Sequence, residues 1–190
     1  MLTLVCFGDS ITARKEGLAT PILTTKISEQ LDDFNVINAG VSGDNTCDAI
    51  NRIENDVIEY NPDFVTVLFG ANDAAFHKMI GLETYKSNLY KVTHRIKPEK
   101  TILISPAPVD EKVQFARTNE VLFNYASGVK QVAEDTGSYF IDFFSQMISL
   151  EDYPKKLKGI KNDGLHFGAV AYDFLARLIT KKIKDIVIEN

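Results

Sequence analysis

Five short apolar segments alternate with five longer amphipathic segments along this chain, and no other feature constrains its fold as strongly. The short segments are rich in β-branched and aromatic residues and span residues 2–7, 36–38, 64–69, 101–105 and 139–143. Several lack polar alternation, which is typical of parallel strands covered on both faces. The longer segments repeat apolar residues at helical spacing and span residues 21–31, 46–60, 82–96, 116–136 and 168–188. This alternation predicts an α/β protein, a three-layer α/β/α sandwich around a flavodoxin-like five-stranded parallel sheet with strand order 2-1-3-4-5.

Length and charge narrow the class of protein further. The 190 residues suit one globular domain that covers residues 1–190. The net charge is −5 and no basic block is present, so we do not expect a nucleic-acid partner. No apolar run approaches the roughly 20 residues that a membrane span needs, and the first residues lack the basic stretch of a signal peptide. We therefore predict a cytoplasmic protein without a membrane span, whereas the oligomeric state stays open.

The cysteines and histidines do not form a metal-binding pattern. Cys6 and Cys47 are too few for a disulfide framework, so we expect free thiols. The three histidines are His77, His94 and His166, and no cluster of His, Cys and Asp has metal-ligand spacing. We expect no metal and no other cofactor.

Polar and glycine-containing segments follow the predicted strands. Residues 8–12 follow the first strand, residues 38–46 the second and residues 70–73 the third, while residues 163–166 come after the fifth strand and a loop. Because the carboxyl ends of parallel strands meet at one edge of a sheet, we expect these segments to lie close together.

The residues in these segments suit ester hydrolysis, which needs a nucleophile, a base, a group that orients the base and donors for the oxyanion. Ser10 can supply the hydroxyl and His166 the base, and Asp163 is close enough in sequence to hold the imidazole. The candidate oxyanion donors are the backbone N–H groups of Ser10 and Gly43 and the side-chain amide of Asn72.

The four segments resemble the four motif blocks of the SGNH or GDSL hydrolases, a family of esterases, lipases, thioesterases and carbohydrate deacetylases. Gly8-Asp9-Ser10 is similar to the first block, and the other blocks match around Gly43, Asn72 and His166. The similarity runs from residue 2 into the final helix. It implies the SGNH fold and a serine ester hydrolase that forms an acyl-enzyme on Ser10, with Asp163 completing the triad. Ile11 departs from the leucine that the family often has there.

Structural roles are the alternative for each of these residues. Ser10 could cap a turn, His166 could be a core histidine and Asp163 could cap the last helix. Gly43 could be an ordinary turn glycine, and Asn72 could bond its own backbone. The alternative function is a non-catalytic flavodoxin-like module that binds a nucleotide or phosphate, or a degenerate relative used for protein contacts. The chain has no glycine-rich phosphate-binding motif, which argues against the nucleotide-binding module.

The substrate pocket is expected to lie between loops. The loop over residues 106–117, with residues 152–162, is predicted to wall it. The candidate pocket residues are Phe76, His77, Val109 and Phe115. No long apolar cap segment is present, so we expect a small-molecule ester with a short-to-medium acyl chain as the partner.

Overall fold

The computed structural model describes residues 1–189 and contains one five-stranded parallel sheet. The strands are β1 (Leu2–Gly8), β2 (Phe34–Gly40), β3 (Phe64–Leu68), β4 (Thr101–Ile104) and β5 (Tyr139–Ile141). Their order is β2-β1-β3-β4-β5, and every neighbouring pair is parallel. The predicted sheet and its strand order are confirmed.

Eight helices connect or follow the strands in the described part of the chain. They are α1 (Ser10–Ala13), α2 (Ile22–Ser28), α3 (Thr46–Asp56), α4 (Leu82–Ile96), α5 (Asn119–Thr136), α6 (Phe143–Ile148), α7 (Tyr153–Lys156) and α8 (Ala169–Glu189). None of the helices within residues 1–189 is both long enough and apolar enough to cross a membrane.

Several predicted boundaries were wrong for identifiable reasons. The helix predicted over residues 46–60 ends at Asp56, because the chain tightens into a 3-10 turn at Ile58–Tyr60 and then adopts a left-handed conformation at Asn61. The helix predicted from residue 116 begins three residues later, where the Thr118 side chain accepts the Val121 N–H at 3.2 Å. The last strand stops early, since Asp142 caps α6.

The helices cover both faces of the sheet and create two core layers. Successive residues of β1 point to opposite faces, as strand geometry requires. Val5 and Phe7 lie in the core layer beneath α3, α4 and α5, whereas Leu4 and Cys6 lie in the layer beneath α2 and α8. The three-layer sandwich is confirmed, and Cys6 is a buried free thiol, as expected, while Cys47 is a half-buried one.

Gly8 at the end of β1 brings α1 close to the sheet. A Cβ atom at this position would lie 2.2 Å from Thr12 Oγ1 and 2.8 Å from the backbone oxygen of Leu68. The second atom belongs to a buried strand and cannot move away cheaply, so only glycine fits. This close approach sets where the chain turns into Ser10.

Candidate active site

Three side chains form a continuous hydrogen-bonded series at the carboxyl edge of the sheet. Ser10 Oγ lies 2.9 Å from His166 Nε2, although the two residues are 156 positions apart. On the other side of the imidazole, His166 Nδ1 lies 2.7 Å from Asp163 Oδ2. The structure therefore brings together the hydroxyl, the ring and the carboxylate that the sequence selected.

Ser10 is the first residue of the short helix α1, and hydrogen bonds with three side chains hold this helix in place. Asp9 caps the helix, since its Oδ1 accepts the Ile11 N–H at 2.8 Å. The Tyr172 hydroxyl from α8 donates to the Ile11 carbonyl at 2.7 Å. Asn38 from β2 donates to the Thr12 carbonyl, also at 2.7 Å. One turn of helix is unstable alone, so these contacts fix the position of the hydroxyl.

The segment that carries the imidazole is ordered by the same carboxylate that contacts the ring. Asp163 Oδ1 accepts the backbone N–H groups of Leu165 at 3.1 Å and of His166 at 2.9 Å, while Oδ2 faces the ring. Helix α8 begins only at Ala169, so Asp163 closes a local turn rather than capping that helix. One carboxylate thus shapes the turn and orients the imidazole.

The protonation states of this pair suit proton transfer. Burial alone would raise the pKa of Asp163, but hydrogen bonds from the His166 ring and from two backbone N–H groups outweigh it and lower the pKa to about 2. Burial lowers the pKa of His166, and the hydrogen bond that its ring donates to Asp163 only partly opposes this shift. At neutral pH the carboxylate is therefore ionised and the imidazole is neutral, so Nε2 is free to accept a proton.

Three candidate donors for an oxyanion have N–H groups that are not used within the described residues. Within residues 1–189, neither the Ser10 N–H nor the Gly43 N–H donates to an acceptor. Gly43 has a φ of 90°, a left-handed conformation that favours glycine. Asn72 Nδ2 donates to the Asp44 carbonyl at 2.8 Å, and its second N–H remains available. Asn72 is therefore bonded to the neighbouring loop and not to its own backbone.

Arg52 on α3 supports these loops and was missed by the sequence reasoning. Its guanidinium donates to the carbonyl oxygens of Gly8 and Ala39, both at 2.8 Å, and forms an ion pair with Asp44. It also lies 4.6 Å from the centre of the Phe7 ring. The ends of β1 and β2 and the loop before α3 are thus joined by one side chain.

Two buried carboxyl groups flank the hydrogen-bonded series. Burial raises the pKa of Asp9 to about 7, although the Ile11 N–H opposes the shift. Burial also raises the pKa of Asp73, against the hydrogen bonds from the Thr46 hydroxyl at 2.6 Å and backbone N–H at 3.0 Å. Both carboxyl groups accept backbone N–H groups at helix starts, Asp9 at α1 and Asp73 at α3, which indicates a structural role.

The predicted pocket residues differ in exposure. Phe76 is 56% exposed and Phe115 is 77% exposed, and His77 is also exposed. Val109 has no exposed surface and packs in the core layer beneath α4 and α5, so its prediction as a pocket residue was wrong. The Val109 N–H donates to Asn119 Oδ1 at 2.8 Å, which turns this part of the loop inward.

The space behind the candidate site is small. Side chains next to the proposed functional residues enclose a cavity of about 10 Å³, whose lining includes Ile11, Leu68 and Leu165. In the part of the chain that the structure describes, no group of three or more His, Cys, Asp and Glu side chains is arranged to hold a metal ion.

Comparisons with known proteins show which family the chain resembles in sequence and in fold. A sequence model of the GDSL-like lipase/acylhydrolase family matches residues 6–174. The chain is 32% identical to the isoamyl acetate-hydrolyzing esterase 1 homolog of Homo sapiens, over 96% of this chain and 83% of that protein. It is 30% identical to an acetylxylan esterase of Geobacillus stearothermophilus, over 78% of this chain and 71% of that protein. The crystal structure of a lipase/acylhydrolase from Enterococcus faecalis superposes with a TM-score of 0.91 at 33% identity, covering 97% of this chain and 96% of that chain.

Proposed function

This chain belongs to the GDSL-like lipase/acylhydrolase family and is a serine ester hydrolase, and from this premise we propose that Ser10 is its nucleophile, His166 its general base and Asp163 the residue that orients the base. The observation that carries the proposal is the unbroken series from Ser10 Oγ through the imidazole to the carboxylate, at 2.9 and 2.7 Å. The assignments of residues 1–190 to one domain and of the protein to the cytoplasm stay predictions.

In the first half of the reaction, Ser10 Oγ attacks the ester carbonyl carbon while His166 Nε2 takes the hydroxyl proton. Negative charge develops on the carbonyl oxygen and is bound by the N–H groups of Ser10, Gly43 and Asn72. The positive imidazole is stabilised by Asp163. When the tetrahedral intermediate collapses, His166 gives the proton to the departing alcohol, which leaves an acyl-enzyme on Ser10.

The second half of the reaction repeats these steps with water. Water attacks the acyl carbon and gives a proton to His166, and the oxyanion forms again at the same donors. Collapse releases the carboxylic acid and returns the proton to Ser10. The chain's own side chains supply every proton acceptor that these steps require.

Short acyl groups are the substrate class that we propose for this enzyme. The cavity of about 10 Å³ beside the site is not lined by Ser10, Asn72 or His166, so the support for short acyl groups comes from the similar proteins. Two similar proteins are named for acetate esters, isoamyl acetate and acetylxylan. We therefore expect an acetyl or other short acyl group on this enzyme, with the alcohol side lying toward exposed residues such as Phe76 and Phe115.

A fluorophosphonate probe tests this function directly. Ser10 Oγ should displace fluoride from the probe and become phosphonylated once per chain, and mass spectrometry of the peptide that contains Ser10 would show the added group. Rates on p-nitrophenyl esters from acetate to palmitate should fall with chain length. A folded protein that takes up no probe and cleaves none of these esters would favour the non-catalytic ligand-binding module instead.

The pH dependence should report the ionisation of His166. Because burial lowers the pKa of His166, we expect kcat/KM to rise with pH in a step below the usual histidine value of about 6.5 and then to level off. Burial raises the pKa of Asp9 to about 7, so this carboxyl group titrates in a neighbouring range. The variant Asp9→Asn keeps an oxygen for the Ile11 N–H, so the step should persist in this variant. A rate that falls as pH rises would contradict His166 as the base.

A further inference from the structure

Arg117 is enclosed by the protein but has no hydrogen-bond acceptor. The residue is only 4% exposed, and it forms no hydrogen bond or ion pair within residues 1–189. Its Nε atom is sealed from solvent without a partner. A guanidinium carries five N–H donors, and buried donors in proteins are almost always satisfied. The guanidinium therefore lacks an acceptor among residues 1–189, and an acceptor for its terminal nitrogens has to come from a ligand or from water.

Arg117 lies between two of the loops that carry the proposed catalytic groups. The carbonyl of Ala116 accepts the Phe76 N–H at 2.8 Å, which joins this loop to the turn after β3. Nearer its start, the same loop donates the Asp110 N–H to the Gly164 carbonyl at 2.9 Å, within the segment that carries the imidazole. Both contacts join the loop that carries Arg117 to segments that carry proposed catalytic groups.

The carboxylates whose charges act on Arg117 do not supply acceptors for it. They are Asp9 and Asp163, and neither forms an ion pair with the guanidinium. Asp9 caps α1 through the Ile11 N–H, and both oxygens of Asp163 bond the segment around His166. Burial lowers the pKa of Arg117, and the two carboxylates oppose this shift. An arginine pKa is high enough for the charge to persist at neutral pH.

Other cations lie around the same site although the whole chain is acidic. Lys78 Nζ is 3.8 Å from the point where a Cβ at Gly43 would lie, beside a proposed oxyanion donor. The positive charge of Lys161 acts on the imidazole of His166. Positive charge at these positions contributes an attraction for an anion, against the carboxylates of Asp9 and Asp163 at the same edge.

We propose that Arg117 is a specificity residue that binds a carboxylate on the ester which this enzyme hydrolyses. The planar guanidinium presents paired N–H donors that match the two oxygens of a carboxylate. The inference rests on the proposed function and adds to it that the substrate is an anionic ester. The carboxylate belongs either to the acyl group or to the alcohol, and two pairs of esters distinguish these cases.

The test compares charged and neutral esters of similar size. The p-nitrophenyl half-ester of adipic acid and p-nitrophenyl hexanoate form the acyl-side pair. The acetate esters of 4-hydroxybenzoate and of its methyl ester form the alcohol-side pair. Wild-type enzyme should have the higher kcat/KM on the charged member of one pair. In Arg117→Met, this preference should fall by about 10–100-fold, the usual effect of a charge-assisted hydrogen bond, while neutral esters change little.

Two further variants and a stability measurement complete the test. Arg117→Lys keeps the charge but not the paired donors, so it should retain part of the preference and serves if the methionine variant does not fold. Lys91→Met removes an exposed cation on α4 and should leave the preference unchanged. Thermal unfolding of each variant shows whether it is folded.

Other results would overturn the inference. Wild-type enzyme that cleaves neutral esters without preferring either charged one would overturn it, and so would equal losses on charged and neutral esters in the Arg117 variants. Arg117 would then only support the loop. If wild-type enzyme cleaves none of the four esters, the proposed hydrolase function itself fails.

Discussion

A Ser10→Ala variant is expected to lose about 10⁵–10⁶-fold in kcat on p-nitrophenyl acetate, the size of loss that follows removal of a nucleophile in a serine hydrolase. Among the described residues, Ser10 Oγ has one hydrogen-bond partner, His166 Nε2, so removing the hydroxyl breaks a single contact. Alanine is also compatible with the helix that begins here. Kinetics at saturating ester and thermal unfolding on the same preparations would separate the loss of activity from any loss of fold.

The matched control for this variant is Ser87→Ala. Ser87 is an exposed serine on α4, and its hydroxyl makes no hydrogen bond within residues 1–189. Its loss should leave kcat unchanged. A Ser10→Ala enzyme that keeps more than about one tenth of wild-type kcat would exclude Ser10 as the nucleophile, because removing the nucleophile of a serine hydrolase costs about 10⁶-fold.

The sheet was predictable because its strands are short, apolar and separated by helical periodicity. The spacing of apolar residues does not identify very short helices, and α1, α6 and α7 have only four, six and four residues. These helices form because particular side chains cap or hold them, as Asp142 does for α6 by accepting the Ser145 N–H at 3.0 Å. Such contacts depend on local geometry, which periodicity does not describe.

The four motif blocks identified the chemistry of the site but not its supporting side chains. The position of Arg52 could have been predicted in part. Arg52 follows the buried Ala49 by three residues and therefore lies toward the sheet side of α3. The burial of Arg117 could not have been predicted, because the sequence does not reveal that a loop arginine is enclosed. The prediction of Val109 as a pocket residue failed for the same reason, since an apolar loop residue can face either the core or a pocket. Burial in loops is decided by tertiary contacts.

An Asp163→Asn variant is expected to lose up to about 10⁴-fold in kcat, as the equivalent change does in serine proteases with the same triad. The asparagine oxygen can still accept the backbone N–H groups of Leu165 and His166, so the turn should survive. The new amide N–H would face His166 Nδ1 and favour the tautomer with its proton on Nε2. In that tautomer the ring cannot take the proton of Ser10.

The pH profile of Asp163→Asn distinguishes orientation of the base from a merely structural role. The variant lacks the hydrogen bond and negative charge that raise the pKa of His166, so its kcat/KM step should move to lower pH than in the wild type. Asp142→Asn is the matched control, because Asp142 also accepts a backbone N–H but does not contact a histidine. If Asp163→Asn loses less than about tenfold and its step stays in place, another group must orient the imidazole.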